Sequence, residues 1–129
     1  MSMRIITEKA HTVIGLVVGA LLALSPMLFS FTDNQAASTI AMLIGVFIIL
    51  NELITTSPFS PVKLVPMNIH VLLDVVTGVF LLVSPWLFNF VNENEPSQWV
   101  PHVAVGLLVV GYALLTRPND GSLARSIIK

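Results

Sequence analysis

Hydrophobic positions in this chain are concentrated in four long, predominantly apolar stretches, separated by short polar segments. Each stretch is close to the roughly 20 residues that an α-helix needs to cross the hydrocarbon core of a bilayer. None alternates between polar and apolar residues, as the strands of a transmembrane barrel do. The pattern therefore predicts four transmembrane helices, at residues 10–31, 36–55, 68–90 and 98–116.

Composition restricts the class of protein further. Of the 129 residues, 55% are hydrophobic and only 10% are charged, whereas a soluble domain averages about 25% charged residues. The net charge of -1 provides no basic surface for nucleic acid, and the absence of cysteine excludes disulfides and thiolate metal sites. We therefore expect an integral membrane protein and set soluble enzyme classes aside.

The positions of the cations predict the orientation of the chain. All lysines and arginines lie before the first stretch, in the middle connector or after the last stretch: Arg4, Lys9, Lys63, Arg117, Arg125 and Lys129. The other two connectors carry Asp33, Glu93 and Glu95 and no cation. The positive-inside rule then predicts a multi-pass protein of the plasma (inner) membrane with both termini in the cytoplasm.

The two halves of the chain resemble each other. A shift of 59 positions places His11 on His70 and Gly19 on Gly78, and it also aligns two Ser-Pro pairs. The second helices match less closely, with Gly45 on Gly106. We therefore expect one all-α transmembrane domain over 1–129, a four-helix bundle of two tandem helical hairpins. The repeats cover about 9–56 and 66–117, and a cytoplasmic tail follows at 118–129.

The Ser-Pro pairs carry a resemblance to a known family. The second repeat reads Ser84-Pro85-Trp86, and the first reads Ser25-Pro26 followed by Met27 in place of tryptophan. With these motifs the chain resembles the SPW-repeat family of small, mostly bacterial integral membrane proteins. The resemblance implies a membrane location and paired helices, and carries no activity with it. Each proline should bend or end its helix, with the serine hydroxyl contacting the carbonyl that proline leaves free.

Small residues recur at every fourth position on the first two predicted helices. Gly15, Gly19 and Ala23 form one such ridge, and the second helix carries another. Ridges of this kind let two helix backbones approach closely in a membrane. We expect them to pack within the molecule, with a dimer contact as the alternative.

Polar and ionisable residues inside the predicted spans are the candidate site. His70 and Asp74 are four residues apart, so they lie on one face of the third helix. Burial of a carboxylate in a membrane is costly, by roughly 2.5 to 3.5 kcal/mol on insertion scales, so such residues face inward and pair. Helix direction predicts a cluster at the cytoplasmic end of the bundle, formed by His11, Asn51, Glu52, His70, Asp74 and Tyr112.

Three interpretations of this cluster stay open at the level of sequence. It can be a hydrogen-bonded network that holds the helices together, a proton or cation relay, or a site for a metal such as zinc. The first is preferred and predicts a non-enzymatic membrane scaffold or interaction protein. A small proton or cation transporter that uses the Glu/His/Asp cluster is the alternative.

No catalytic residue, cofactor or metal site is assigned from the sequence. His102, beside Pro101 and Trp99, is expected to be a structural histidine at the membrane interface. The expected partners are the lipid bilayer and other membrane proteins or further copies of the chain, with no nucleic acid.

Overall fold

The computed structural model describes residues 6–55 and 61–116. Within these ranges the chain is helical and has no β-strand, which confirms the all-α class. A single 3-10 turn, Pro96–Gln98, precedes the last helix. The helices are α1 (Glu8–Leu28), α2 (Gln35–Leu53), α3 (Met67–Leu87) and α4 (Val100–Leu115). The predicted tail at 118–129 lies outside the described residues.

Side-chain caps and prolines explain where the helices begin. Thr7 accepts a hydrogen bond from the Ala10 amide (3.2 Å) at the start of α1. Asn34 does the same for the Ala37 amide (3.1 Å) at the start of α2. A proline marks the beginning of each helix in the second hairpin, at the N-cap of α3 and in the first turn of α4. Each of these residues stabilises or tolerates the unpaired amides of a first helical turn.

The two Ser-Pro pairs lie in the last turns of α1 and α3. Proline cannot donate to the carbonyl four residues before it. In both helices the preceding serine donates to that carbonyl: Ser25 Oγ to Leu22 O (2.6 Å), and Ser84 Oγ to Leu81 O (2.8 Å). The expected role of the hydroxyl is therefore confirmed. Both helices end two residues after the proline, and a bend at either proline stays a prediction.

A left-handed residue follows each of these helix ends. Ser30 has φ 57° and Asn89 has φ 59°. The next residue in each case is a buried phenylalanine whose amide donates back to the proline carbonyl, at 2.8 Å for Phe31 and for Phe90. This is the Schellman arrangement, in which a helix ends through a left-handed residue. The helices therefore stop about three residues before the ends of the predicted spans, 31 and 90.

Glycines allow the two helices of each hairpin to approach closely. A Cβ at Gly19 or Gly45 would overlap the backbone of the opposite helix, and the same holds for Gly78 and Gly106 in the second hairpin. Gly19 faces residues near Gly45, whereas Gly15 faces Glu52, so the paired helices run antiparallel. The small residues at these positions therefore pack within the hairpins.

The two hairpins join in a symmetrical manner. Ile6, two residues before α1, pairs with the end of α4, because its amide donates to Leu115 O (2.8 Å). Val65, two residues before α3, pairs in the same way with the end of α2, because its amide donates to Ile54 O (2.9 Å). Ile6 and Val65 are equivalent in the two repeats. The four helices therefore form a closed ring with pseudo-two-fold symmetry.

The bundle is apolar outside, and its interior combines a hydrophobic core with buried polar side chains. Large aliphatic side chains are exposed on the outer helix faces, whereas all three histidines, Glu52, Asp74 and the serines of the two Ser-Pro pairs are buried. Helices α1, α2 and α3 are long and apolar enough to cross a membrane. Helix α4 has 16 residues and is about 24 Å long, so the predicted fourth span includes the preceding turn. This distribution is that of an integral membrane protein.

Candidate functional site

The candidate site lies at the end of the bundle where α1 and α3 begin and α2 ends. His11 and His70 lie in the first turns of α1 and α3, Asp74 follows His70 by one turn, and Glu52 lies in the last turn of α2. We call these four residues the His–carboxylate cluster. Their exposed fractions are between 0% and 1%. The antiparallel hairpins therefore bring together residues that are up to 63 positions apart in sequence.

The side chains of the cluster converge on one point. His11 Nε2 lies 2.8 Å from Asp74 Oδ2, and His70 Nε2 lies 2.9 Å from Glu52 Oε2. The two Nε2 atoms are 2.9 Å apart. Each carboxylate oxygen also approaches the other imidazole, at 3.4 Å for His11 with Glu52 and 3.1 Å for His70 with Asp74. Each carboxylate therefore contacts both histidines.

Two threonines contact the outer nitrogen, Nδ1, of the two imidazoles. Thr55 Oγ1 donates to the carbonyl four residues before it (2.5 Å), and Thr116 Oγ1 does the same (2.6 Å). The same oxygens lie 2.6 Å from His70 Nδ1 and 2.7 Å from His11 Nδ1, respectively. A hydroxyl has a single proton; with that proton on the backbone carbonyl, the oxygen accepts and each Nδ1–H donates. The lone pair of a neutral imidazole then lies on Nε2, the atom that faces the cluster.

This arrangement of donors and acceptors limits what the cluster can contain. With neutral imidazoles, two nitrogen lone pairs and two carboxylate oxygens face one another, and these atoms can only accept hydrogen bonds. Something positively charged must lie among them, because unpaired carboxylates are not stable in a buried site. Two protons, on the Nε2 atoms or on the carboxylates themselves, or one divalent cation would balance the two negative charges.

Gly15 provides the space that the Glu52 carboxylate occupies. A Cβ at Gly15 would overlap that carboxylate. Gly15 is equivalent to Asp74 in the second repeat, and the offset that places Gly45 on Gly106 places Glu52 on Ala113. Each repeat therefore contributes one carboxylate to the cluster. The first repeat supplies Glu52 from α2, and the second repeat supplies Asp74 from α3.

Asn51 and Tyr112, the two other predicted members, flank the cluster without a side-chain hydrogen bond to it. The Tyr112 ring meets the His11 ring edge-on, with centroids 5.0 Å apart. Among the described residues, the Tyr112 hydroxyl and Asn51 Nδ2 are buried with no hydrogen-bond partner. Sequence reasoning did not include Thr55 and Thr116 among the site residues, although the repeat aligns them with each other.

His102 lies at the opposite end of the bundle and takes no part in the cluster. Its Nε2 donates to Ala37 O at 2.9 Å, and its ring lies 4.8 Å from that of Phe90 and 5.7 Å from that of Phe31. The residue is fully buried within the bundle, and its position at the depth of the membrane interface stays a prediction. Its contacts are those of a structural histidine.

Two further contacts lie at this opposite end. Asn34 Nδ2 donates to Gln98 Oε1 (2.7 Å), which links the two repeats. Trp86 of the Ser-Pro-Trp triplet is 58% exposed and meets Trp99 edge-on, with ring centroids 5.9 Å apart. This exposed pair of indoles suits a membrane–water interface.

Comparison with known families gives one match. The family model for the SPW repeat domain matches residues 9–116, a segment that includes both Ser-Pro pairs and all four residues of the His–carboxylate cluster. Comparisons with curated proteins and with solved structures found no match.

Proposed function

This chain belongs to the SPW repeat family, and from that premise we propose that it is a non-enzymatic scaffold or interaction protein of the membrane. Its polar residues are used to hold two helical hairpins together. The proposal rests on which residues the hydrogen bonds of the cluster connect.

The shortest contacts of the His–carboxylate cluster, from 2.6 to 2.9 Å, join one repeat to the other, whereas those within a repeat are longer, at 3.1 and 3.4 Å. His11 of the first repeat bonds Thr116 and Asp74 of the second, and His70 of the second repeat bonds Thr55 and Glu52 of the first. The contact between the two imidazoles also crosses the repeats. The hairpins pack closely within themselves through glycine, whereas between them the buried polar groups supply the specific links.

Burial supports a structural role for these links. The four side chains are essentially inaccessible to solvent, and a buried polar group that loses its partner costs about 1 to 3 kcal/mol, or more if it is charged. Such a cluster permits one arrangement of the hairpins and penalises others. The bundle then offers a rigid apolar surface to lipid and to other membrane proteins or further copies of the chain.

The proposed location is the plasma (inner) membrane, with both termini in the cytoplasm. Lys9 precedes the core of α1 and Lys63 lies between α2 and α3. The antiparallel hairpins put both positions at the end of the bundle that contains the cluster. Asp33, Glu93 and Glu95 lie at the other end. This distribution supports a cytoplasmic position for the cluster end.

A small proton or cation transporter is the second candidate. The observation in its favour is the continuous series of close contacts that links both imidazoles and both carboxylates, since intramembrane groups of this kind form proton relays. The complete burial of the four side chains weighs against it, because a relay must connect with water on both sides.

Two substitutions of Asp74 distinguish these functions. Asp74→Asn keeps the size of the side chain and part of its hydrogen bonding, whereas Asp74→Leu leaves His11 and His70 without that partner. For a scaffold, Asp74→Leu lowers the free energy of unfolding by about 1 to 3 kcal/mol and Asp74→Asn by less. Thermal unfolding in detergent measures both, with Asp33→Asn on the exposed connector as the control.

Proton and cation flux in reconstituted vesicles provides the second measurement. The parent protein should show no flux above that of empty vesicles. Flux that is present in the parent and absent in a folded Asp74→Asn protein would contradict the scaffold and establish the transporter.

A further inference from the structure

We propose that the His–carboxylate cluster is a binding site for one Zn²⁺ ion, with one ligand atom from each of His11, Glu52, His70 and Asp74. This inference deepens the proposed function, because the ion would hold together the same two hairpins. The ligand atoms are Nε2 of both histidines, Glu52 Oε2 and Asp74 Oδ2, and they lie within 4.8 Å of one another.

The first support is the direction of the imidazole lone pairs. Thr55 and Thr116 accept from the two Nδ1–H groups, since their own protons go to backbone carbonyls. This leaves each neutral Nε2 unprotonated and aimed at the same point. Metal-bound histidines characteristically donate their second ring nitrogen to a fixed outer acceptor in this manner.

The second support is the spacing of the ligand atoms. Tetrahedral Zn²⁺ has bonds to nitrogen and oxygen of about 2.0 to 2.1 Å, which puts neighbouring ligand atoms about 3.3 Å apart. The five separations that involve an Nε2 atom run from 2.8 to 3.4 Å, whereas the two carboxylate oxygens are further apart, within 4.8 Å, and would move closer on binding the ion. Two independent ion pairs would not require the two Nε2 atoms to be in contact, whereas a shared central ion does.

The third support is the balance of charge. Two carboxylates and two neutral imidazoles carry a charge of -2, which one divalent cation cancels inside the bundle. Imidazole ligands favour zinc and its first-row neighbours. Magnesium and calcium favour six or more oxygen ligands, which a cluster of two nitrogens and two carboxylates does not offer.

The number of protein ligands indicates what the ion would do. A zinc site with four protein ligands is closed and structural, whereas catalytic sites keep one position for water or substrate. The four ligands come from α1, α2 and α3, and Thr116 at the end of α4 orients one of them. The site would therefore join all four helices at one end of the bundle.

Zinc binding can be measured on the full chain in detergent after removal of metals with a chelator. We expect one Zn²⁺ per chain by elemental analysis and a melting temperature that rises with Zn²⁺ concentration. Co²⁺ used as a spectroscopic probe should give the intense visible absorption bands of tetrahedral coordination. Absence of stoichiometric Zn²⁺ together with an octahedral Co²⁺ spectrum would overturn the proposal.

Matched variants assign the binding to these residues. Glu52→Gln and Asp74→Asn keep side-chain size and should each weaken Zn²⁺ binding by more than 100-fold. Thr55→Val and Thr116→Val should weaken it about 10- to 100-fold, as expected for outer partners of a ligand. His102→Gln, at a buried histidine outside the cluster, should bind Zn²⁺ like the parent. An equal loss of Zn²⁺ binding in His102→Gln and in Asp74→Asn would contradict the assignment of the site to the His–carboxylate cluster.

The outcomes separate this inference from the proposed function. A protein that binds no Zn²⁺ but loses stability in Asp74→Leu overturns the zinc site and leaves the scaffold intact. A protein that binds one Zn²⁺ and also carries it across vesicle membranes supports the site and contradicts the scaffold.

Discussion

At the scale of single residues, the two repeats differ most where they contribute charge. The first repeat combines Gly15 with Glu52, whereas the second has Asp74 and Ala113 at the equivalent positions. Because a Cβ at Gly15 would overlap the Glu52 carboxylate, each pair of positions holds one acid and one small residue. The cluster thus contains two carboxylates, and a third would be neither accommodated nor neutralised.

This relation predicts that substitutions at Gly15 and Glu52 are coupled. Gly15→Asp alone should destabilise the protein by about 1 to 3 kcal/mol, because it overfills the site and adds a like charge. Combined with Glu52→Ala it reproduces the arrangement of the second repeat. The double variant should therefore be more stable than the sum of the single effects implies, by about 0.5 to 3 kcal/mol.

Unfolding of the three variants in detergent measures this coupling energy. Gly111→Ala is the control for replacing a helical glycine, since no atom lies within 4 Å of a Cβ at that position. Additive effects of the two substitutions on the free energy of unfolding would show that the Gly15–Glu52 pair is not equivalent to the Asp74–Ala113 pair.

At the scale of elements, the Ser-Pro pairs end two helices by the same mechanism. Serine satisfies the carbonyl that proline leaves free, and a left-handed residue then turns the chain so that a buried phenylalanine follows. The first repeat does this with Met27 in place of tryptophan. Helix termination therefore depends on the serine and the proline, whereas Trp86 adds an exposed aromatic contact with Trp99.

We predict that Ser25→Ala and Ser84→Ala each reduce stability by about 0.6 to 1 kcal/mol, because a buried carbonyl loses its partner. Ser38→Ala is the control, since that hydroxyl has only a 3.8 Å contact with Met42 Sδ. Thermal unfolding in detergent should rank the three variants. Equal melting temperatures for Ser25→Ala and Ser38→Ala would contradict a role for the serine in helix termination.

At the scale of the whole molecule, the closed ring of helices makes the two ends of the bundle chemically different. One end contains the His–carboxylate cluster and the backbone pairing between repeats. The other contains His102, the indole pair and the hydrogen bond between Asn34 and Gln98. The acidic connectors belong to this second end, so orientation can be tested from the connectors.

The native chain has no cysteine, so single cysteines can report the side of the membrane. Glu93→Cys should react with a membrane-impermeant thiol reagent in intact cells, because its connector is acidic and lacks cations. Lys63→Cys should react only after the cells are permeabilised. Labelling of both positions from the same side would refute the four-span topology.

Local patterns in the sequence determined the helices, the two repeats and the shared face of His70 and Asp74, because helical period and proline chemistry act over a few residues. The direction of successive spans also placed six polar residues at one end. Tertiary structure alone decided which of them meet: Glu52 enters over Gly15, whereas Asn51 and Tyr112 stay beside the cluster. It also placed the Nδ1 atoms of the two imidazoles against threonines that are 15 and 105 positions away. Such convergence depends on distances between helices of about an ångström, which no periodicity along the chain encodes.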